Sequence, residues 1–142
     1  MHKSGTCLCG AVTIDIAHTP ETTGACHCGM CRKWSGGIYL GLHVRAGDAT
    51  IAGAGNITAF PSSDWAERCF CTTCGSNLFY RITAPGPMQG DMHVALGMLD
   101  DPSGITLTEE IFIDRKPDGY ALAGDHKRMT EAETLAMFAD IS

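Results

Sequence analysis

The sequence predicts a mainly β domain, and three features carry that expectation. Short runs of branched and aromatic residues recur along most of the chain, turn residues punctuate them, and seventeen glycines suit a turn-dense sheet better than a helical bundle. Residues 12–16 (VTIDI) alternate apolar and polar, as a half-buried strand does. Residues 37–44 (GIYLGLHV), 49–53 (ATIAG), 56–63 (NITAFPSS), 65–71 (WAERCFC), 76–82 (SNLFYRI), 92–99 (MHVALGML) and 104–113 (GITLTEEIFI) continue the series. APGPMQG (84–90) and DDPSG (100–104) read as turns. A short helical turn is expected after Cys31. One longer helix is expected at the end, where Thr130 and Glu133 fit a capping box ahead of Leu135, Met137 and Phe138. That helix either packs back on the domain or supplies a homodimer surface. No repeat or linker divides the chain, so 1–142 reads as a single domain.

Composition excludes some functions. A net charge of −6 leaves no basic stripe for phosphates, which argues against nucleic acid as a partner. The opening MHKSGTCLCG has no apolar export segment and no run approaches membrane-spanning length, so a soluble, cytoplasmic protein is expected.

Eight cysteines then need explaining, and their spacing points to metal. In a reducing compartment thiols are ligands more often than disulfides. Cys7 and Cys9 form C-x-C; Cys26, Cys28 and Cys31 form C-x-C-x-x-C, a spacing that Cys69, Cys71 and Cys74 repeat. C-x-C on a strand presents two sulfurs on one face. CTTCGS (71–76) is a zinc-knuckle arrangement in which glycine frees the backbone to approach the ion. Pairing Cys7 and Cys9 with Cys71 and Cys74 gives a saturated four-thiolate site, although Cys69 could replace one knuckle member. The central triad is one donor short. Either its fourth position is open, as in catalytic zinc sites, or Cys69 or a distant histidine closes it. Arg32 and Lys33 follow directly and favour an anionic incoming ligand.

Three segments together, TCLCGAV, CHCGMCRKWSGG and SSDWAERCFCTTCGSNLFY, resemble the glutathione-dependent formaldehyde-activating enzyme family, which includes the centromere protein V domain. The resemblance spans roughly residues 4 to 113. It implies a β-tent fold of zinc-bound antiparallel sheets, with 114–142 as a C-terminal turn and helix. It also implies two zinc ions, a structural one on Cys7, Cys9, Cys71 and Cys74 and a catalytic one on Cys26, Cys28 and Cys31. The activity implied is that of a carbon–sulfur lyase joining formaldehyde to glutathione as S-(hydroxymethyl)glutathione, with glutathione or another thiol as small-molecule partner. A non-catalytic two-zinc module and a redox-responsive zinc–thiolate protein are the competing readings.

Other residues near the motifs carry weaker expectations. His27, between two ligands, points away from the metal if the segment is extended, and is a structural or solvated residue or a proton shuttle. Trp34 is a core residue or a stacking surface for substrate. Ser35, Gly36 and Gly37 form an open backbone shelf or a plain turn. Arg68 binds a substrate carboxylate or pairs with Asp64 or Glu67. Cys69 is a small buried hydrophobe. Glu109 and Glu110, being adjacent, face opposite sides of a strand. His2, His18, His43, His93 and His126 lack ligand-like spacing.

Overall fold

The computed structural model describes residues 1–141 and places eleven strands and two helices among them. In chain order the strands are β1 (Lys3–Thr6), β2 (Thr13–Ile16), β3 (Thr22–Cys26), β4 (Tyr39–Val44), β5 (Ala49–Ala52), β6 (Ile57–Phe60), β7 (Ala66–Cys71), β8 (Asn77–Ile82), β9 (Met92–Ala95), β10 (Thr106–Ile111) and β11 (Lys127–Arg128). The helices are α1 (Gly29–Ser35) and α2 (Glu131–Ile141). The fold is mainly β with a short C-terminal helix, as the sequence predicts. Ser142, the last residue of the expected tail, lies outside the described residues.

Two sheets enclose the core. A three-stranded sheet runs β1-β2-β5, and an eight-stranded sheet runs β11-β10-β3-β4-β9-β8-β7-β6. Alternation along β2 sends Ile14 and Ile16 inward, where they meet Leu42, Val44, Leu78, Phe79 and Val94 from the larger sheet. These side chains are fully buried, and their apolar area is a main source of stability.

The sequence misplaces several details. β1, β3 and β11 were not expected, because KSGT and TTGAC lack the branched and aromatic runs that announce a strand. The expected strand 92–99 stops at Ala95 and turns into a single 3-10 turn, Leu96–Met98. The larger sheet is mixed rather than antiparallel, since β10 runs parallel to both β3 and β11. Helix α2 starts as its capping box predicts: Glu133 N–H donates to Thr130 Oγ1 at 3.2 Å, and Thr130 N–H donates to Glu133 Oε1 at 3.0 Å. Its inward side is different from the expected stripe. Thr134 is buried and Met137 half-buried, while Leu135 and Phe138 are 55% and 46% exposed.

One glycine is demanded by a close approach. Gly53 sits at φ 83° in the turn after β5, and a Cβ there would lie 1.9 Å from the carbonyl oxygen of Ala11. Gly53→Ala combines left-handed strain with a backbone collision that no rotamer relieves. It is expected to cost more than about 2 kcal/mol in urea denaturation; a loss under half that would mean the turn relaxes freely.

Candidate metal centres

Two groups of sulfurs gather where the strands end. The Sγ atoms of Cys7, Cys9, Cys71 and Cys74 all lie within 4.8 Å of one another, and so do those of Cys26, Cys28 and Cys31. All eight thiols are free.

In the first group the β1–β2 turn supplies Cys7 and Cys9, while the β7–β8 hairpin supplies Cys71 and Cys74. The cluster therefore joins the small sheet to the large one. Cys7 Sγ to Cys9 Sγ and Cys9 Sγ to Cys71 Sγ are each 3.7 Å. A sulfur tetrahedron around zinc at about 2.3 Å has edges of about 3.8 Å, whereas a disulfide would need about 2.05 Å. The donor set and its spacing fit a tetrahedral ion. Backbone N–H of Val12 donates to Cys7 Sγ at 3.3 Å. Leu8 N–H donates to Ser76 Oγ at 3.0 Å, so the Ser76 hydroxyl is free to donate to Cys74 Sγ at 3.1 Å. Hydrogen bonds from the Ser76 hydroxyl and backbone hold the Cys74 thiol down at about 5.

The second group is built by a strand end and a helix start. Cys26 closes β3. Cys28 is the N-cap of α1, and its sulfur accepts from the N–H of Cys31 at 3.3 Å, which turns both sulfurs to one side. Among the described residues no further His, Cys, Asp or Glu comes within ligand range of all three. Cys69 lies elsewhere, fully buried in the apolar core. The three thiols share their protons: hydrogen bonds from Cys26 and Cys31 hold Cys28 far below the usual thiol range, and the contact with Cys28 pushes Cys26 up. Three soft sulfurs on one side also fit zinc, with one corner left over.

A cleft of about 320 Å³ opens beside Cys28, lined by Gly29, Arg32, Phe112, Arg115 and Glu131. Phe112 holds the left-handed conformation at φ 55°, an uncommon state for a bulky residue and one that collects at functional sites. A larger hollow of about 570 Å³ lies between Thr6, Tyr39, Asn77 and Leu96. It touches the four-sulfur cluster through Cys7 and does not reach the triad.

The remaining predicted residues fall into place around the triad. Arg32 lines the cleft, while Lys33 is exposed and does not. Ser35 Oγ donates to the carbonyls of Cys31 and Gly37, at 2.7 and 3.2 Å, and Gly36 ends α1 in the left-handed conformation. That segment is a helix-ending turn. Trp34 packs on Tyr39 with ring centroids 5.3 Å apart. Arg68 is only 3% exposed and pairs with neither expected carboxylate, because Glu67 is taken by Arg81 at 2.5 and 2.8 Å. Instead its two terminal nitrogens donate to Cys31 Sγ at 3.6 and 3.7 Å.

His27 points away from the triad into a buried ionic cluster. Its Nε2 meets Glu110 Oε1 at 2.7 Å, and the other Glu110 oxygen takes His126 Nε2 at 2.6 Å and Arg128 Nε at 3.1 Å. Burial would raise the Glu110 carboxyl, yet the hydrogen bonds from His126 and His27 outweigh it and hold the carboxyl below its ordinary range. Sequence alone assigns no role to Glu110 or His126. The only local hint was an acidic residue placed at an inward position of β10.

A mainly β domain with one cluster of four sulfurs and another of three defines a class of cysteine-cluster proteins whose sulfurs could hold metal ions. Residues 2–115 match the glutathione-dependent formaldehyde-activating enzyme family, and the chain belongs to it. An uncharacterized lyase of Schizosaccharomyces pombe is 26% identical over 131 residues, covering 92% of this chain and 93% of its own. A Rhodobacter sphaeroides protein of known crystal structure shares the fold, with a TM-score of 0.57 and 24% identity over 74% of this chain and 99% of its own. Among the described residues no helix is long and apolar enough to cross a membrane.

Proposed function

We propose that the chain is a lyase-type enzyme acting on a glutathione-related thiol adduct, and more finely that it joins glutathione and formaldehyde into S-(hydroxymethyl)glutathione. Cys7, Cys9, Cys71 and Cys74 would hold a structural zinc ion, and Cys26, Cys28 and Cys31 a catalytic one. A zinc ion on the triad would supply a place where the incoming sulfur is kept as thiolate at neutral pH. The observation that carries this reading is the triad itself: three converging sulfurs without a fourth side-chain ligand among the described residues, next to a cleft that reaches Cys28.

The chain's own residues divide the remaining work. The cap bond from Cys31 N–H to Cys28 Sγ orients the Cys28 sulfur, one of the three that would hold the ion. Arg32 presents a guanidinium at the cleft mouth, suited to a carboxylate of the tripeptide. Arg115 is drawn towards Glu131 at 2.7 Å and shapes the opposite wall. In the net reaction the thiol sulfur bonds to the aldehyde carbon and the thiol proton passes to the aldehyde oxygen. The larger hollow is set aside because none of the three triad cysteines lines it.

The test is metal content together with turnover. Two zinc ions per chain are expected, one of which leaves on mild chelation while circular dichroism is unchanged. Cys28→Ser should keep the fold and lose adduct formation, followed by NMR of labelled formaldehyde with glutathione. Outer-shell changes at metal sites already cost about 10–100-fold, so loss of a ligand belongs at the upper end or beyond. If both ions resist chelation equally and Cys28→Ser turns over normally, the chain is a non-catalytic two-zinc module.

A further inference from the structure

Arg68 presents a physical problem that the family reading does not address. Its guanidinium is almost wholly buried, and among the described residues no carboxylate pairs with it. Its Nε is buried without a hydrogen-bond partner. A buried charge left alone is among the most costly arrangements a fold can contain, so something must balance it. The guanidinium carbon lies over two aromatic rings, 5.2 Å from the centroid of Trp34 and 4.9 Å from that of Tyr80. Its two terminal nitrogens both donate to one sulfur, Cys31 Sγ. The group nearest to hand that can carry a counter-charge is the Cys31 sulfur.

We infer that Arg68 is a positioning residue that sets the charge of the central site, so that its open corner prefers an anionic thiolate over a neutral ligand. This rests on the metal-site reading above. Three thiolates with a divalent ion carry one net negative charge, and the buried guanidinium cancels it. A fourth, anionic sulfur can then join at a cost the surroundings tolerate, its proton leaving to solvent. Without Arg68 the same step would build two negative charges in a partly buried site, and a neutral donor would compete better. The four-sulfur cluster has no such cation. Among the described residues its sulfurs receive hydrogen bonds from backbone N–H groups, such as that of Val12, and from the Ser76 hydroxyl, all of them neutral. Lysine could not replace Arg68 fully, because a point charge on a flexible stem neither stacks on aromatic rings nor presents a fork of N–H groups to one sulfur.

The experiment uses the full chain loaded with two cobalt(II) ions as a spectroscopic probe. Glutathione and imidazole are titrated separately, and the sulfur-to-cobalt charge-transfer band and the d–d bands are followed. In the unsubstituted protein glutathione should add intensity to the charge-transfer band. In Arg68→Met, provided it still binds two cobalt ions, the apparent affinity for glutathione should fall about tenfold, the scale of one charge-assisted hydrogen bond. Affinity for imidazole should stay within about twofold on the same scale. Arg68→Lys should fall between them, and it decides the matter if Arg68→Met does not fold. Unchanged glutathione affinity in a folded variant, or equal loss for both ligands, overturns the role of Arg68 and leaves the open-corner reading standing. A parent protein whose cobalt spectrum responds to neither ligand overturns both.

Discussion

Cys74→Ser is expected to yield a protein with no more than one tightly held zinc ion and no cooperative thermal transition. The four-sulfur cluster joins the β1–β2 turn to the β7–β8 hairpin across more than sixty residues of chain, and so joins the two sheets. Structural zinc contributes about 10–16 kcal/mol in small metal-folded domains. Domains of this size are stable by about 5–15 kcal/mol in all. Loss of an ion held there would thus be comparable to the whole stability, even with the apolar core between the sheets intact. Ser76 sharpens the expectation, because the Cys74 sulfur is also the acceptor for the hydroxyl that Leu8 N–H orients. Removing the sulfur leaves both turns without their common partner. Circular dichroism melts with parallel zinc analysis measure this. A variant that melts within a few degrees of the parent would show that the cluster is not what holds the sheets together.

Glu110→Ala is expected to destabilise by about 3–5 kcal/mol, the usual result of removing one member of a buried ionic cluster. The Glu110 carboxylate is the common acceptor for His27, His126 and Arg128, and its side chain is 1% exposed. Alanine leaves two buried imidazoles facing a void. Glu110→Gln keeps the volume and one acceptor oxygen, but turns an amide donor towards one of the rings, so it should lose less than alanine and more than Glu109→Ala. Urea denaturation of the three variants gives the order directly. Equal losses at positions 109 and 110 would show that burial of the carboxylate carries no special weight. Because His27 lies between Cys26 and Cys28, the same substitution should also loosen the triad, visible as faster metal release to a chelator.

What the sequence disclosed follows from distance along the chain. The grouping of cysteines was legible because each half-site is local: C-x-C and C-x-x-C fix sulfur geometry within a turn or a strand end. The capping box of α2 was legible for the same reason, with donor and acceptor three residues apart. Arg68 was not, since its sulfur partner is 37 positions away and the near carboxylate of Glu67 had a better partner in Arg81 across the hairpin. The Glu110 cluster was hidden more thoroughly, its histidines lying 83 and 16 positions away. β3 and β11 were missed because each is held in the sheet by its neighbours; the parallel pairing with β10 supplies what TTGAC and KR lack in propensity.

The matched family region ends at residue 115, yet two of the three partners of Glu110 lie beyond it. The tail is thereby bound to its strand by a shared debt of charge, and the two should be inherited together. In sequences related to this one, a glutamate at this β10 position should coincide with a downstream histidine and arginine, and chains that stop early should carry an uncharged residue there instead. Aligned relatives that keep the acid while lacking both downstream cations would break that correlation.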